Sequence, residues 1–271
     1  IWAPAIRYHN GKFYIFSNIN GHGLQVYISD SAKGPWTHHK VNGDIYDLSV
    51  LFDEDGKIYA VHKYGNVTVT ELKPDLSGPV EGSSKLVIPE GNAMGEGHHI
   101  YKINGMYYIL SADYSPMGRM QCAQSKSIWG PYETCVISER ESYGYAAGWS
   151  VGNIGIGRPL PEDAFKFQNN KPNGLNLGCA TIHQGGIVQA PDGKWWGVSM
   201  QDFNAVGRTV CLSPITWVDG WPYFGLEKNL GRSPRTWFKP NDAVKAPQAP
   251  YDRCDDFSGK TFKPVWQWNH N

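Results

Sequence analysis

Asp47-Leu48-Ser49-Val50-Leu51-Phe52 runs into Asp53-Glu54-Asp55-Gly56 and then into Lys57-Ile58-Tyr59-Ala60. A carboxylate opens a short apolar run, an Asp-Gly turn closes it, and an aromatic-rich run follows. The pattern returns at His9-Asn10-Gly11-Lys12-Phe13-Tyr14-Ile15, Ile103-Asn104-Gly105-Met106-Tyr107-Tyr108-Ile109 and Pro191-Asp192-Gly193-Lys194-Trp195-Trp196-Gly197. Asn-Gly and Asp-Gly dipeptides between such runs predict hairpin turns, since both central positions tolerate positive φ. A second marker follows each turn, at Gly34-Pro35-Trp36, Gly78-Pro79-Val80, Gly130-Pro131-Tyr132 and Gly220-Trp221-Pro222. The offsets from turn glycine to second glycine are 23, 22, 25 and 27 residues, so the chain is an internal repeat.

Successive turn glycines are 45, 49 and 88 residues apart. The last interval contains an insertion, 136–180, rich in Gly and Asn and poor in strand alternation; loops of that length usually cover a site or move. A unit of about 45 residues with a hairpin and no helical period has the size of a four-stranded propeller blade. A β-sandwich is the alternative, but it leaves so regular a repeat unexplained. The repeat ends near Gly225. Pro234, Pro240, Pro247 and Pro250 then suggest a linker over 226–254, and 255–271 looks like the opening of another domain.

Composition narrows the function. The 271 residues carry 25 Lys+Arg against 25 Asp+Glu without a charged block, which argues against nucleic acid as a partner. No apolar run is long enough for a membrane-spanning helix, so no membrane partner is expected. Gly (31), Trp (11) and Tyr (15) are abundant and charged residues make up only 18%, as suits an all-β protein of short strands and many turns rather than a disordered chain. Five cysteines form no C-x-x-C pair, which argues against a zinc site, and their odd number against a full disulfide framework.

In a propeller the innermost strand of each blade lines the axis, so the residues opening each unit are candidates for a site. The four units open with Ile1-Trp2-Ala3-Pro4, Tyr46-Asp47-Leu48-Ser49, Gly95-Glu96-Gly97-His98 and Ile182-His183-Gln184-Gly185. Equivalent positions thus carry Trp2, Asp47, Glu96 and His183. A carboxylate at the start of an apolar inner strand is costly unless it is paired or used. Two of them on neighbouring rigid strands beside an aromatic platform suit glycoside hydrolysis, one as proton donor and the other tuning it or activating water.

At these residues the sequence resembles glycoside hydrolase family 43. The stretches that carry the resemblance are Trp2 to Tyr8, Asp47 to Gly56, Glu96 to Lys102, His183 to Val188 and Gln201 to Arg208. It implies an all-β, five-bladed β-propeller followed by a C-terminal β-sandwich, of which 255–271 would be the first strand. It implies an inverting exo-glycosidase, removing terminal α-L-arabinofuranosyl or β-D-xylosyl units from arabinoxylan or xylan oligosaccharides. It makes Glu96 the general acid, with Asp47 raising the acid's pKa and orienting it. Arg208, Trp2 and His98 become sugar contacts, and His183 lies near an axis that in some members holds a structural calcium ion, as a metal contact either direct or through water. No other cofactor is implied. Plant polymers as substrates imply secretion or a periplasmic location.

The family's catalytic base is an Asp on an innermost strand ahead of the Trp-Ala-Pro segment, and here that segment opens the chain. The expectation is therefore an N-terminally truncated fragment with four visible blades (two to five, over 1–225), inactive alone for want of the base.

Plainer readings stand beside these. Asp47 and Glu96 could be turn or cap residues bonded to backbone amides. His183 could be a hydrogen-bonded structural residue, Arg208 an exposed cation and Trp2 simply core. Trp195, Trp196, Trp217 and Trp221 read as blade packing. Two rival functions remain: a non-catalytic carbohydrate-binding or scaffold propeller, and a retaining five-bladed fructosyl hydrolase or transferase, against which stands the absence of an Arg-Asp-Pro segment.

Overall fold

The computed structural model describes residues 2–41, 43–92, 94–113, 119–138, 142–143, 178–179, 183–202, 208–231 and 258. The side chains of Trp2, His183 and Arg208 lie outside the described set, as do most of 136–180 and all of 232–271 except Ser258. The chain forms two compact units, Ile1–Trp237 and Phe238–Asn271. The described residues of the first are all-β, without a helix.

Each repeat unit is one antiparallel sheet. The first blade is β1 (Trp2–His9), β2 (Lys12–Ile19), β3 (Gly23–Ser29) and β4 (Thr37–Val41). The second is β5 (Ser49–Phe52), β6 (Ile58–His62), β7 (Val67–Leu72) and β8 (Lys85–Ile88). The third is β9 (Glu96–Ile103), β10 (Met106–Asp113), β11 (Arg119–Ser125) and β12 (Glu133–Val136). Next comes a small pair, β13 (Ser142–Tyr143) and β14 (Gly178–Cys179), which brings the two ends of the insertion together. The fourth blade is β15 (His183–Gln189), β16 (Trp195–Asp202), β17 (Arg208–Val218), β18 (Trp221–Leu226) and β19 (Asn229–Leu230).

Strands pair in chain order within every blade, and the first strands β1, β5, β9 and β15 neighbour one another in sequence. This is a propeller arrangement of four blades, as the repeat predicts. The second markers fall in the connection before the last strand of the first three blades; that of the fourth starts in the β17–β18 turn at Gly220 and runs into β18.

The turns refine one expectation. Asn10 and Gly11 (φ 47° and 81°) and Asn104 and Gly105 (φ 51° and 78°) form two-residue turns with both centres left-handed. At Asp55-Gly56 and Asp192-Gly193 only the glycine has positive φ. There the aspartate bridges the loop instead, as Asp55 Oδ1 accepts the Lys57 amide (2.8 Å) and Asp192 Oδ1 the Lys194 amide (3.1 Å). Loop length separates the two groups: the two-residue turns, Asp219-Gly220 among them (φ 49° and 82°), have both centres left-handed, whereas the longer loops closed by Asp53–Lys57 and Ala190–Lys194 need only the glycine there.

The core lies between blades. Phe16, Leu24 and Val26 meet Leu48, Val50 and Ala60 at the first joint; Tyr59, Val61 and Val69 meet Ile100, Ile109 and Ala123 at the second; Leu110, Met120 and Cys122 meet Ile187, Ile215 and Phe224 at the third. β6 is buried at every position because alternate residues serve different joints, which is why Ile58-Tyr59-Ala60-Val61 reads as continuous rather than alternating. Trp195, Trp217 and Trp221 pack against the third joint, with Trp195 edge-on to Trp217 at 5.3 Å. Burying each large apolar side chain contributes about 1.5–3 kcal/mol.

Polar bolts cross the same joints. Ser49 Oγ accepts Nη2 of Arg7 (2.6 Å) and the amide of Ile100 (3.1 Å), linking three blades through one hydroxyl. Tyr101 Oη accepts the amide of Ile187 (2.9 Å). Asp53 accepts Lys102 Nζ (2.7 Å), the Tyr107 hydroxyl (2.6 Å) and the Glu54 amide (2.6 Å).

Candidate active site

Asp47 and Glu96 lie on neighbouring blades and meet where their first strands begin. Asp47 is 3% exposed and holds φ at 55°, so its carboxylate turns inward just ahead of β5. Its Oδ2 accepts the amide of Gly97 at 2.8 Å, the residue directly after Glu96. Burial pushes the Asp47 carboxyl above its ordinary range. The Gly97 amide works against that shift, and the neighbouring negative charge of Glu96 adds to it.

Glu96 opens β9 and is half-buried. The Tyr46 hydroxyl donates to its Oε2 at 2.7 Å, and Gln184 Nε2 donates to its Oε1 at 3.0 Å. Ser111 Oγ reaches its backbone carbonyl at 3.3 Å. The carboxyl is thus clasped by the second and fourth blades while its own strand belongs to the third. Burial and the bond to Glu96 raise the Tyr46 phenol well above the ordinary tyrosine range, so it stays protonated and donating.

Further along β9 follow His98, His99 and Tyr101, with Arg7 of the first blade close to the last two. His98 is 2% exposed, its Nε2 bonds the Lys63 carbonyl at 2.7 Å, and its Nδ1 is buried without a partner. Burial lowers its pKa to about 4, so the ring is neutral and donates through Nε2. The sugar contact expected of His98 does not fit so closed a setting; the ring instead supports the turn after β6. His99 is likewise lowered to about 4, by burial first and then by the Arg7 guanidinium, and stacks on Tyr101. Arg7 spends its donors on Val50 O, Ile6 O and Ser49 Oγ. Gly186 is what allows the fourth blade so close, since a Cβ there would lie 2.5 Å from Tyr101 Oη.

The structure thus brings Asp47 and Glu96 together. The strand positions of the other three expected site residues are described: Trp2 opens β1, His183 opens β15 and pairs with Met200, and Arg208 opens β17 and pairs with Asp202. Their side chains lie outside the described residues. Calcium takes about six to eight oxygen ligands. Among the described residues no group of three or more His, Cys, Asp or Glu is placed to hold a metal. Sequence reasoning missed Tyr46 and Gln184. Each adjoins a quoted site residue, but what reveals them is contact across 50 and 88 positions of chain.

The described residues thus present an all-β propeller with two carboxyls at adjacent blade starts, joined through the Gly97 amide. The family model described as glycosyl hydrolases family 43 matches residues 1–144, just over half of the chain. The chain belongs to that family. It is 30% identical over 285 residues to a putative beta-xylosidase of Xylanibacter ruminicola, covering 100% of this chain and 46% of the relative. It is also 30% identical to a non-reducing end alpha-L-arabinofuranosidase of Bacteroides ovatus, covering 100% and 48%. Among solved structures, the bifunctional GH43-CE protein of Bacteroides eggerthii superposes with a TM-score of 0.69 at 29% identity, over 91% of this chain and 28% of that one. The chain spans about half the length of the curated relatives it matches.

Proposed function

We propose that the protein is an inverting exo-glycosidase that releases terminal β-D-xylosyl or α-L-arabinofuranosyl units from hemicellulose oligosaccharides. The observation that carries this is the Asp47–Gly97–Glu96 arrangement, a half-buried carboxyl anchored beside a buried one at the blade starts. Names among the relatives, beta-xylosidase and alpha-L-arabinofuranosidase, support the pentose class.

In this reading Glu96 gives its proton to the glycosidic oxygen as the bond to the anomeric carbon breaks. A water attacks that carbon from the opposite face and passes its proton to a second carboxylate. Asp47 acts on Glu96 through the Gly97 amide and through its charge. Inversion needs the two catalytic carboxyls about 6.5–9.5 Å apart. Asp47 is turned inward onto Gly97, so the water-activating carboxylate belongs elsewhere, on a further blade.

Two sheet faces support such a blade. Ile6 and Tyr8, 57% and 66% exposed, lie on the face of the first blade turned away from the Phe16 joint. Val188, Val198 and Val210, 52%, 41% and 81% exposed, lie on the face of the fourth turned away from the Phe224 joint. Elsewhere such faces are covered by a neighbouring blade. The reading places a fifth blade between these two, carrying the base.

The test is proton NMR of the first product released from a xylo- or arabino-oligosaccharide by the full protein. The anomer opposite to that of the substrate is expected, together with a loss of about 10²–10⁴-fold in Glu96→Ala. A product of retained configuration overturns the mechanism, and an unimpaired Glu96→Ala overturns the acid.

A further inference from the structure

Both carboxyl oxygens of Glu96 are held by donors that its own blade does not supply. Tyr46 takes Oε2 and Gln184 takes Oε1. The second contact is bought with unusual backbone. Gln184 holds φ at 47°, in the left-handed region that a glutamine seldom enters. Gly97 holds φ at 64°, and a Cβ on it would stand 2.6 Å from Cγ and 3.1 Å from Cβ of Gln184. The residue after Glu96 must therefore lack a side chain for the amide to arrive. Backbone on two blades is shaped around one hydrogen bond to one carboxyl oxygen, and strain of this kind gathers where a side chain has to be aimed.

We infer that Gln184 and Tyr46 are positioning residues for the proton donor, fixing the plane of the Glu96 carboxyl so that its proton faces the glycosidic oxygen. The inference rests on the reading of Glu96 as general acid. Each carboxyl oxygen has two lone pairs. The tyrosine and the amide occupy one on each, which leaves the remaining lone pairs in a set direction to carry and deliver the proton. Without the two donors the carboxyl rotates about Cγ–Cδ, and proton transfer must wait for the productive orientation. Gln184 thereby couples the fourth blade to the chemistry of the third, and Tyr46 does the same for the second.

Leaving-group dependence separates positioning from mere support. An oligosaccharide leaves as an alkoxide and needs the proton, whereas a dinitrophenyl group leaves as a stable anion and does not. Gln184→Met and Tyr46→Phe in the full protein are expected to lower kcat/KM on the oligosaccharide about 10-fold. On a dinitrophenyl pentoside they should stay within about twofold, since loss of acid positioning leaves this substrate untouched. Tyr46→Phe keeps the ring, so a folding failure of Gln184→Met does not end the test. Equal losses on both substrates overturn the inference, as does no loss on the oligosaccharide. Glu96→Ala is the internal reference. If it shows the same selectivity, only larger, while the two variants do not, positioning alone is refuted. If Glu96→Ala slows both substrates equally, or if the wild type turns over neither, the acid reading fails and the inference with it.

Discussion

Asp53→Ala removes the acceptor at the centre of the joint between the second and third blades. Its side chain is fully buried and takes three donors, from Lys102, Tyr107 and the Glu54 amide. Burial alone would raise its pKa. The bonds from Lys102, Tyr107 and Glu54 together outweigh burial and hold the carboxyl below its ordinary 3.8. The ion pair itself contributes little, because Lys102 is partly exposed and can fall back on Glu54 at 3.1 Å.

The loss comes from the Tyr107 hydroxyl, whose proton is left in a buried joint without its acceptor, and from the vacated volume. Together these amount to about 2–3 kcal/mol. For a domain of this size that corresponds to a fall in Tm of about 4–12 °C. Urea unfolding at neutral pH reads it as a lower midpoint at unchanged m. The pH dependence identifies the cause. A carboxyl whose folded pKa lies below its unfolded one stabilises fully above the unfolded value, and that stabilisation drains away as pH falls through the folded value. The gap between wild type and variant is therefore expected to narrow below about pH 4, by its charge-dependent part, while the part due to lost volume remains. A difference under about 0.5 kcal/mol at neutral pH, or one that persists undiminished into acid, refutes the reasoning.

Asp47→Asn should raise stability and lower activity together. The folded fold prefers the protonated acid, so the ionised form is a cost that grows as pH rises from the unfolded to the folded pKa. Relief of that cost shows as a higher Tm at neutral pH, and kcat should fall about 100-fold or more; a lower Tm would contradict the assignment. Tyr101→Phe orphans the Ile187 amide and should cost about 1–2 kcal/mol in chemical denaturation, with no change at all counting against the bolt between the third and fourth blades. His62, His98 and His99 are each lowered to about 4, chiefly by burial. The unfolded chain binds protons first, so stability should decline as pH falls from about 6.5 to 4, by at most about 1.4 kcal/mol per pH unit for each histidine. His98→Gln should flatten that decline, and an unaltered slope would rule His98 out as a source.

The repeat made the blades legible because each is local. A hairpin turn, its flanking strands and the Gly-Pro before the last strand all lie within about one 45-residue unit, where turn chemistry and strand pattern act directly. Asp47 and Glu96 stood out for a related reason: a carboxylate at the head of an apolar strand is conspicuous wherever the strand ends up. His98 shows where such reading stops. On an isolated strand it and His99 alternate faces; in the propeller His98 is buried while His99 stays partly exposed, because β9 is packed by blades on either side and the Lys63 carbonyl draws in the His98 ring.

From sequence alone came the four-bladed repeat, the family and the pair of acidic residues worth testing, since spacing, turns and motif order are properties of neighbouring positions. Only the tertiary structure decided what those acids touch. The bond from the Gly97 amide to Asp47, the clasp of Tyr46 and Gln184 on Glu96, and the left-handed backbone that delivers the amide join residues from three blades. No pattern along the chain encodes such contacts, because they exist only once the blades have packed and the distance between first strands is set by the side chains buried between them.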